Sequence, residues 1–279
     1  MSVMILSPFA AFGQSLLDAI EGFGKFSRFS MAWLKGSFAR GAGFGRMRLL
    51  VPQLYEVGTR SMPVVMLVGG FVGAVLGVEM FDQMKSIGQE TRIGGIINLS
   101  VVKQIGPVLA AVMIAGRVGG AVSAEIGTMR VTDQLDALRV MGTDPVRHLV
   151  VPRVLACLIM VPILTIASDL MGIFGGWLVV VVGFNVDASA YWQFSADFVT
   201  SFDVITGLVK GAAFGLLIGL ISCYKGFHCQ AGAAGVGKAA TDAFVASFIA
   251  IIIANFFLAK FMNELYILIN GQVLNALST

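Results

Sequence analysis

Five stretches of this chain are apolar enough, and long enough, to cross a lipid bilayer as helices, which takes about 20 residues each. They run from about residue 61 to 80, 93 to 116, 154 to 184, 204 to 224 and 243 to 262. Backbone groups inside hydrocarbon must satisfy one another, and runs of this length do so as α-helices. Composition agrees, since 13% of residues are charged and 57% hydrophobic, against about 25% charged in soluble domains. A chain this apolar neither stays solvated nor remains disordered. The fold class is therefore all-α integral membrane, with about five transmembrane helices. Nothing in the sequence looks like a linker or an internal repeat, so residues 1–279 read as one domain, an N-terminal segment over 1–50 and a bundle over 51–279. The third stretch is long and contains Pro162 and Asp169, which predicts either one kinked helix or a re-entrant pair.

Cations choose the sidedness, because loops rich in Lys and Arg stay in the cytoplasm. Lys25, Arg28, Lys35, Arg40, Arg46, Arg48 and Arg60 precede the first stretch. Arg117, Arg130, Arg139, Arg147 and Arg153 lie between the second and third, and Lys225 and Lys238 between the fourth and fifth. On the other side, residues 185–203 hold three aspartates and no cation. The amino terminus is thus expected in the cytoplasm and the carboxyl terminus outside. Near the amino terminus, Phe9, Phe12, Leu16, Ile20, Phe23 and Phe26 recur at helical spacing among Asp18, Glu21 and Lys25. That stripe fits an amphipathic helix lying in the membrane interface, and equally one packed on the protein.

Within the stretches, Gly69, Gly73 and Gly77, and again Gly207, Gly211, Gly215 and Gly219, recur every four residues. Each set clears one helical face of side chains, so that a neighbouring backbone can approach closely. Charges at membrane depth are costly and mark function by default: Lys103 beside Gln104, Asp169, Lys210 and Lys260. Lys210 and Lys260 lie within about two turns of the outer ends, from where a lysine can snorkel to water. Lys103 sits deeper, just before Ile105-Gly106-Pro107, where proline leaves a backbone carbonyl without its helical donor. Its ammonium meets a lipid phosphate or pairs with Asp169, and the sequence supports both.

Between the second and third stretches, Ile126, Met129, Val131, Leu135 and Leu138 fall at helical spacing. Glu125, Arg130, Asp133, Asp136 and Arg139 fill the other positions, and Gly142 with Asp144-Pro145 gives a stop. The pattern is a short amphipathic helix on the cytoplasmic face, shaped to enter a partner's groove. Catalytic signals are sparse. His148 and His228 stand in no metal-ligand spacing, and Cys157, Cys223 and Cys229 form no disulfide framework. No basic and aromatic footprint for nucleic acid is visible. Gly232 to Ala239, GAAGVGKA, matches seven positions of a phosphate-binding loop but ends in Ala239 where Ser or Thr would reach magnesium.

The run from Gly106 to Ala156, GPVLAAVMIAGRVGGAVSAEIGTMRVTDQLDALRVMGTDPVRHLVVPRVLA, closely resembles the MlaE/YrbE permeases of MCE-linked ABC transporters. Those proteins carry in succession a Gly-Pro-Val, an Ala-Gly-Arg, an Ala-Glu-Ile/Leu-Gly-Thr-Met-Arg and a Met-Gly-x-Asp-Pro element. A weaker likeness reaches from about Gln53 to the fifth stretch and takes in AGAAGVGKAATDAFV, which accounts for the false phosphate loop. The resemblance implies a permease of the bacterial inner membrane. It would work as a homodimer with cytoplasmic ABC ATPase subunits and a periplasmic MCE-domain protein, moving phospholipids or related lipids between inner membrane and outer envelope. ATP and magnesium would bind the partner ATPase, and this chain would hold no cofactor or metal and be no enzyme itself.

Carried over by position, Glu125 to Gly142 would form the coupling helix, with Arg130, Asp133, Gln134, Asp136, Leu138 and Arg139 toward the ATPase and Arg117 at its membrane end. A lipid pocket would form at the dimer axis from Val78, Phe81, Lys103 and Gln104. Many family members have Arg-Glu where this chain has Lys103-Gln104, so a carboxylate is missing and Lys103 is freer to meet an anionic headgroup. The competing reading from the residues is an ion-coupled secondary transporter using Lys103 and Asp169. The absence of an internal duplication counts against it.

Overall fold

The computed structural model describes residues 2–38 and 47–277. Among them are helices and short connections and no strand. Helix α1 (Ser2–Phe38) is followed by α2 (Arg48–Ser86), α3 (Glu90–Val131), the short α4 (Gln134–Val140) and α5 (Val146–Gly183). Then come α6 (Ala188–Phe198), α7 (Ser201–Phe227) and α8 (Ala233–Leu277). Five of these, α2, α3, α5, α7 and α8, are long and apolar enough to cross a membrane. Helix α5 settles the choice left by its sequence: it is one continuous helix of 38 residues through Pro162, about 57 Å long. That is nearly twice the ~30 Å of a hydrocarbon core. The spans therefore extend well past their apolar runs, and Arg117 and Arg130, expected in a loop, lie on the continuing α3. Charge ends the apolar pattern but does not end a helix.

The bundle is built around α5, against which two glycine seams pack. Along α2, a Cβ on Gly69 would sit 2.5 Å from the Ser168 carbonyl, and one on Gly73 only 1.8 Å from that of Gly172. Gly77 closes on Val179 and Val180, so the pairs rise together and α2 runs parallel to α5. Along the N-terminal half of α5, Gly211, Gly215 and Gly219 of α7 meet Pro162, Cys157 and Val154, an antiparallel seam. Gly207, the fourth of that set, faces the Val102 carbonyl of α3 instead. Hydrocarbon offers no hydrophobic drive between helices, so this backbone-to-backbone van der Waals contact supplies much of the cohesion.

At the end of the bundle where α5 and α7 are joined, residues expected in a loop form α6. Asp187 caps it: its carboxylate accepts from the Ser189 hydroxyl and from the Ala190 N–H, which hold its pKa below the usual carboxylate range. Tyr191 of α6 is fully buried and donates to Asn98 Oδ1 of α3 at 3.1 Å, while Asn98 Nδ2 donates to Ser195 at 2.7 Å. Burial pushes the Tyr191 hydroxyl up to about 12, so it stays a neutral donor. Tyr191→Phe leaves Asn98 Oδ1 without that donor in a dry site, which should cost about 1–2 kcal/mol. A lowered thermal midpoint of the detergent-solubilised protein is the expected readout, and an unchanged midpoint would refute it.

Helix α1 packs at the other end. Phe26 and Phe29 lie edge-on to Tyr224 at 5.4 and 5.6 Å, and Trp33 is buried. Ile20 and Phe23, from the expected apolar stripe, are instead 61% and 74% exposed. The side chains of Phe9, Phe12, Leu16 and Asp18, and all of Arg40 and Arg46, lie outside the described residues.

Candidate functional site

Proline organises the polar centre of the bundle. Pro107 has no N–H to give the Lys103 carbonyl, and the turn before it widens so that Gly106 N–H bonds Val101, five residues back. Two carbonyls are left over, and α7 meets both. Gly207 lets its backbone close on the Val102 oxygen. Lys210 donates to the Lys103 carbonyl at 3.0 Å and to Gln104 Oε1 at 2.5 Å. Lys210 is 1% exposed, so the snorkelling expected from its depth does not occur. Its third N–H has no protein acceptor among the described residues.

Asp203 completes the cluster. In the first turn of α7, its Oδ2 accepts from the Thr200 N–H at 3.1 Å and hydroxyl at 2.7 Å, capping the helix. That leaves Oδ1 for the Lys103 ammonium, 3.0 Å away. Lys103 therefore pairs with Asp203 and not with Asp169, whose buried Oδ1 lies against Gly106 with no hydrogen-bond partner among the described residues. A charge relay between Lys103 and Asp169 has no geometric basis here. Lys103, Gln104, Thr206, Lys210 and Asn263 line a cavity of about 360 Å³ between α3, α7 and α8. Of the expected pocket residues, Val78 and Phe81 do not reach it. Phe81 is buried and stacked on Phe184 at 3.9 Å, and Val78 is exposed on α2.

The expected coupling helix is two pieces. Asp133 is in the left-handed conformation (φ 56°) and breaks the chain between the end of α3 and α4. Glu125 belongs to α3 and pairs at 2.8 Å with the buried Arg153 of α5. It shares a cleft with Arg117, which donates to Ser61 at 2.9 Å. Arg130 and Arg139 line a second cleft with Asp144 and His228, and Arg139 also pairs with Asp136. On α4, Leu135 is fully buried and Leu138 half-buried, while Gln134 and Asp136 are exposed. The apolar side chains that α4 presents outward are Val140 and, just past its end, Met141, 88% and 69% exposed. Neither is among the apolar positions of the amphipathic pattern. Gly232 (φ 87°) ends the short connection after α7 and Ala233 to Ala239 open α8, with no strand before them.

The family model described as Permease MlaE matches residues 50–261. This chain belongs to the MlaE permease family. It is 39% identical over 257 residues to a probable ABC transporter permease of Rickettsia bellii, covering 92% of this chain and 98% of that one. A probable ABC transporter permease of Synechocystis is 43% identical over 215 residues, 77% of this chain and 82% of the relative. The intermembrane phospholipid transport system permease MlaE of Haemophilus influenzae is 31% identical over 266 residues, 93% and 98% of the two chains. An MlaE-family chain of this kind is a multi-pass membrane protein and the permease of an ABC transporter, homologous to a phospholipid-transport permease.

Proposed function

We propose that this MlaE-family permease carries phospholipid between inner membrane and outer envelope, through the cavity walled by Lys103, Gln104 and Lys210. That cavity is the observation on which the reading rests: a polar, cationic recess inside an apolar bundle. Moving a headgroup through hydrocarbon is uphill unless polar partners replace water along the way. Work must come from elsewhere, from an ABC ATPase seated at α4, where ATP and magnesium bind the partner. The cation-rich end, with α4, Arg130 and Arg139, faces the cytoplasm, and the α6 end faces the periplasm and an MCE-domain protein. Helix α1 lies along the cytoplasmic interface, with Ile20 and Phe23 open to lipid. A second copy packs beside α8, whose most apolar window is 11% buried against 56% in α5 and α7. Purification from cells co-expressing the neighbouring subunits tests this. Retention of an ATPase and an MCE protein, with ATP-dependent lipid transfer between vesicles, is expected; transport by the chain alone under an ion gradient would overturn it.

A further inference from the structure

We infer that the cavity selects lipids whose headgroup carries a net negative charge and no ammonium. The inference rests on reading the cavity as the lipid site, and it concerns which lipid. Two ammoniums, Lys103 and Lys210, reach the cavity, and its lining contains no Asp or Glu. Asp203 is 5% exposed and already committed, Oδ2 to the Thr200 cap and Oδ1 to Lys103, while the buried Asp169 lies against Gly106 and pairs with neither lysine. Gln104 offers only an amide oxygen, and Lys210 occupies it. Lys103 has Asp203 for a partner, whereas Lys210 holds only neutral oxygens and has no paired carboxylate among the described residues. Such a charge is costly until an anion joins it.

A phosphodiester headgroup such as phosphatidylglycerol supplies that anion and nothing more. Its oxygens can take the exposed edge of Lys103 as charge-assisted hydrogen bonds, with the buried Lys210 behind it adding positive charge. Phosphatidylethanolamine brings the same phosphate with an ammonium attached. That ammonium finds two lysines and no free carboxylate, so it is repelled where it would need a partner. The apolar remainder of the wall, Leu99 and Ala259, suits the start of an acyl chain and not a free anion.

The test uses the full chain in nanodiscs of mixed phosphatidylethanolamine and phosphatidylglycerol, with bound lipid counted by native mass spectrometry after extraction. Phosphatidylglycerol should be enriched over the bulk by about tenfold. Gln104→Glu, nearly isosteric, places a carboxylate against Lys210 and should erase most of that enrichment. Asp203→Asn removes the committed carboxylate and should raise it. Opposite shifts from two near-isosteric changes are not what general loosening of the bundle would give, and if Asp203→Asn does not fold, Gln104→Glu alone decides. Lipid held with equal preference in wild type and Gln104→Glu would overturn the inference and leave the lipid site standing. No lipid held by the wild-type chain would overturn both. Displacement of phosphatidylglycerol by excess inorganic phosphate would assign the cluster to a free anion and overturn the lipid assignment.

Discussion

Gly73→Leu should leave almost no folded permease in the membrane. A Cβ at position 73 would stand 1.8 Å from the Gly172 carbonyl oxygen and 2.7 Å from its Cα, both backbone atoms that no rotamer change can move. Helix α2 would have to withdraw from α5, and withdrawal would open the whole seam, since Gly69 and Gly77 share it. Overpacking in a core costs about 1–3 kcal/mol when side chains can yield. Here the obstacle is main chain, so the cost exceeds that range, while net stabilities are only about 5–15 kcal/mol. Gly22, whose added Cβ would meet nothing within 4 Å, is the matched control. Size-exclusion profiles of fluorescently tagged protein in detergent measure the outcome. A monodisperse Gly73→Leu peak at the Gly22→Leu level would show that the seam does not hold the bundle together.

The seams were legible because a four-residue glycine period is a statement about one helical face, and faces survive folding. The five spans followed for the same reason. The ionic cluster is only partly legible, because distance along the chain gives a residue's depth but not its face. Lys210 lies near the start of α7 by residue count, yet Asp203, Thr206, Gly207, Lys210 and Phe214 share one face, and all are buried. A lysine three residues beyond a seam glycine points into the bundle however near the end it stands. Asp203 was hidden differently: residues 185–203 read as an acidic loop, although Asp187 and the Thr200-Asp203 pair are helix-start signals. What the sequence could supply was the vacancy left by Pro107. Which side chain fills it depends on how α7 lies across α3, a contact 107 residues apart in the chain.

Val140→Asp with Met141→Asp should abolish capture of the ATPase while the permease itself folds normally. Both side chains project into solvent, so removing them costs the isolated chain little. Their direction is fixed from both sides, by the left-handed Asp133 before α4 and by Gly142 (φ 73°) after it, with Leu135 anchoring the helix on the body. An apolar side chain fully buried on docking contributes about 1.5–3 kcal/mol. Losing two, and burying carboxylates instead, should weaken the complex by at least about a hundredfold. Charge reversal at Asp133 and Asp136 tests the same surface with a smaller expected effect. Asp136 is already paired with Arg139 at 2.6 Å, and exposed ion pairs contribute about 0–1 kcal/mol. If the apolar pair dominates, ATPase recovered on the immobilised permease falls steeply in the first variant and modestly in the second. Full recovery in the first, with lipid-stimulated hydrolysis intact, would remove α4 from the docking surface and leave the clefts holding Arg117 and Arg130 as the place to look.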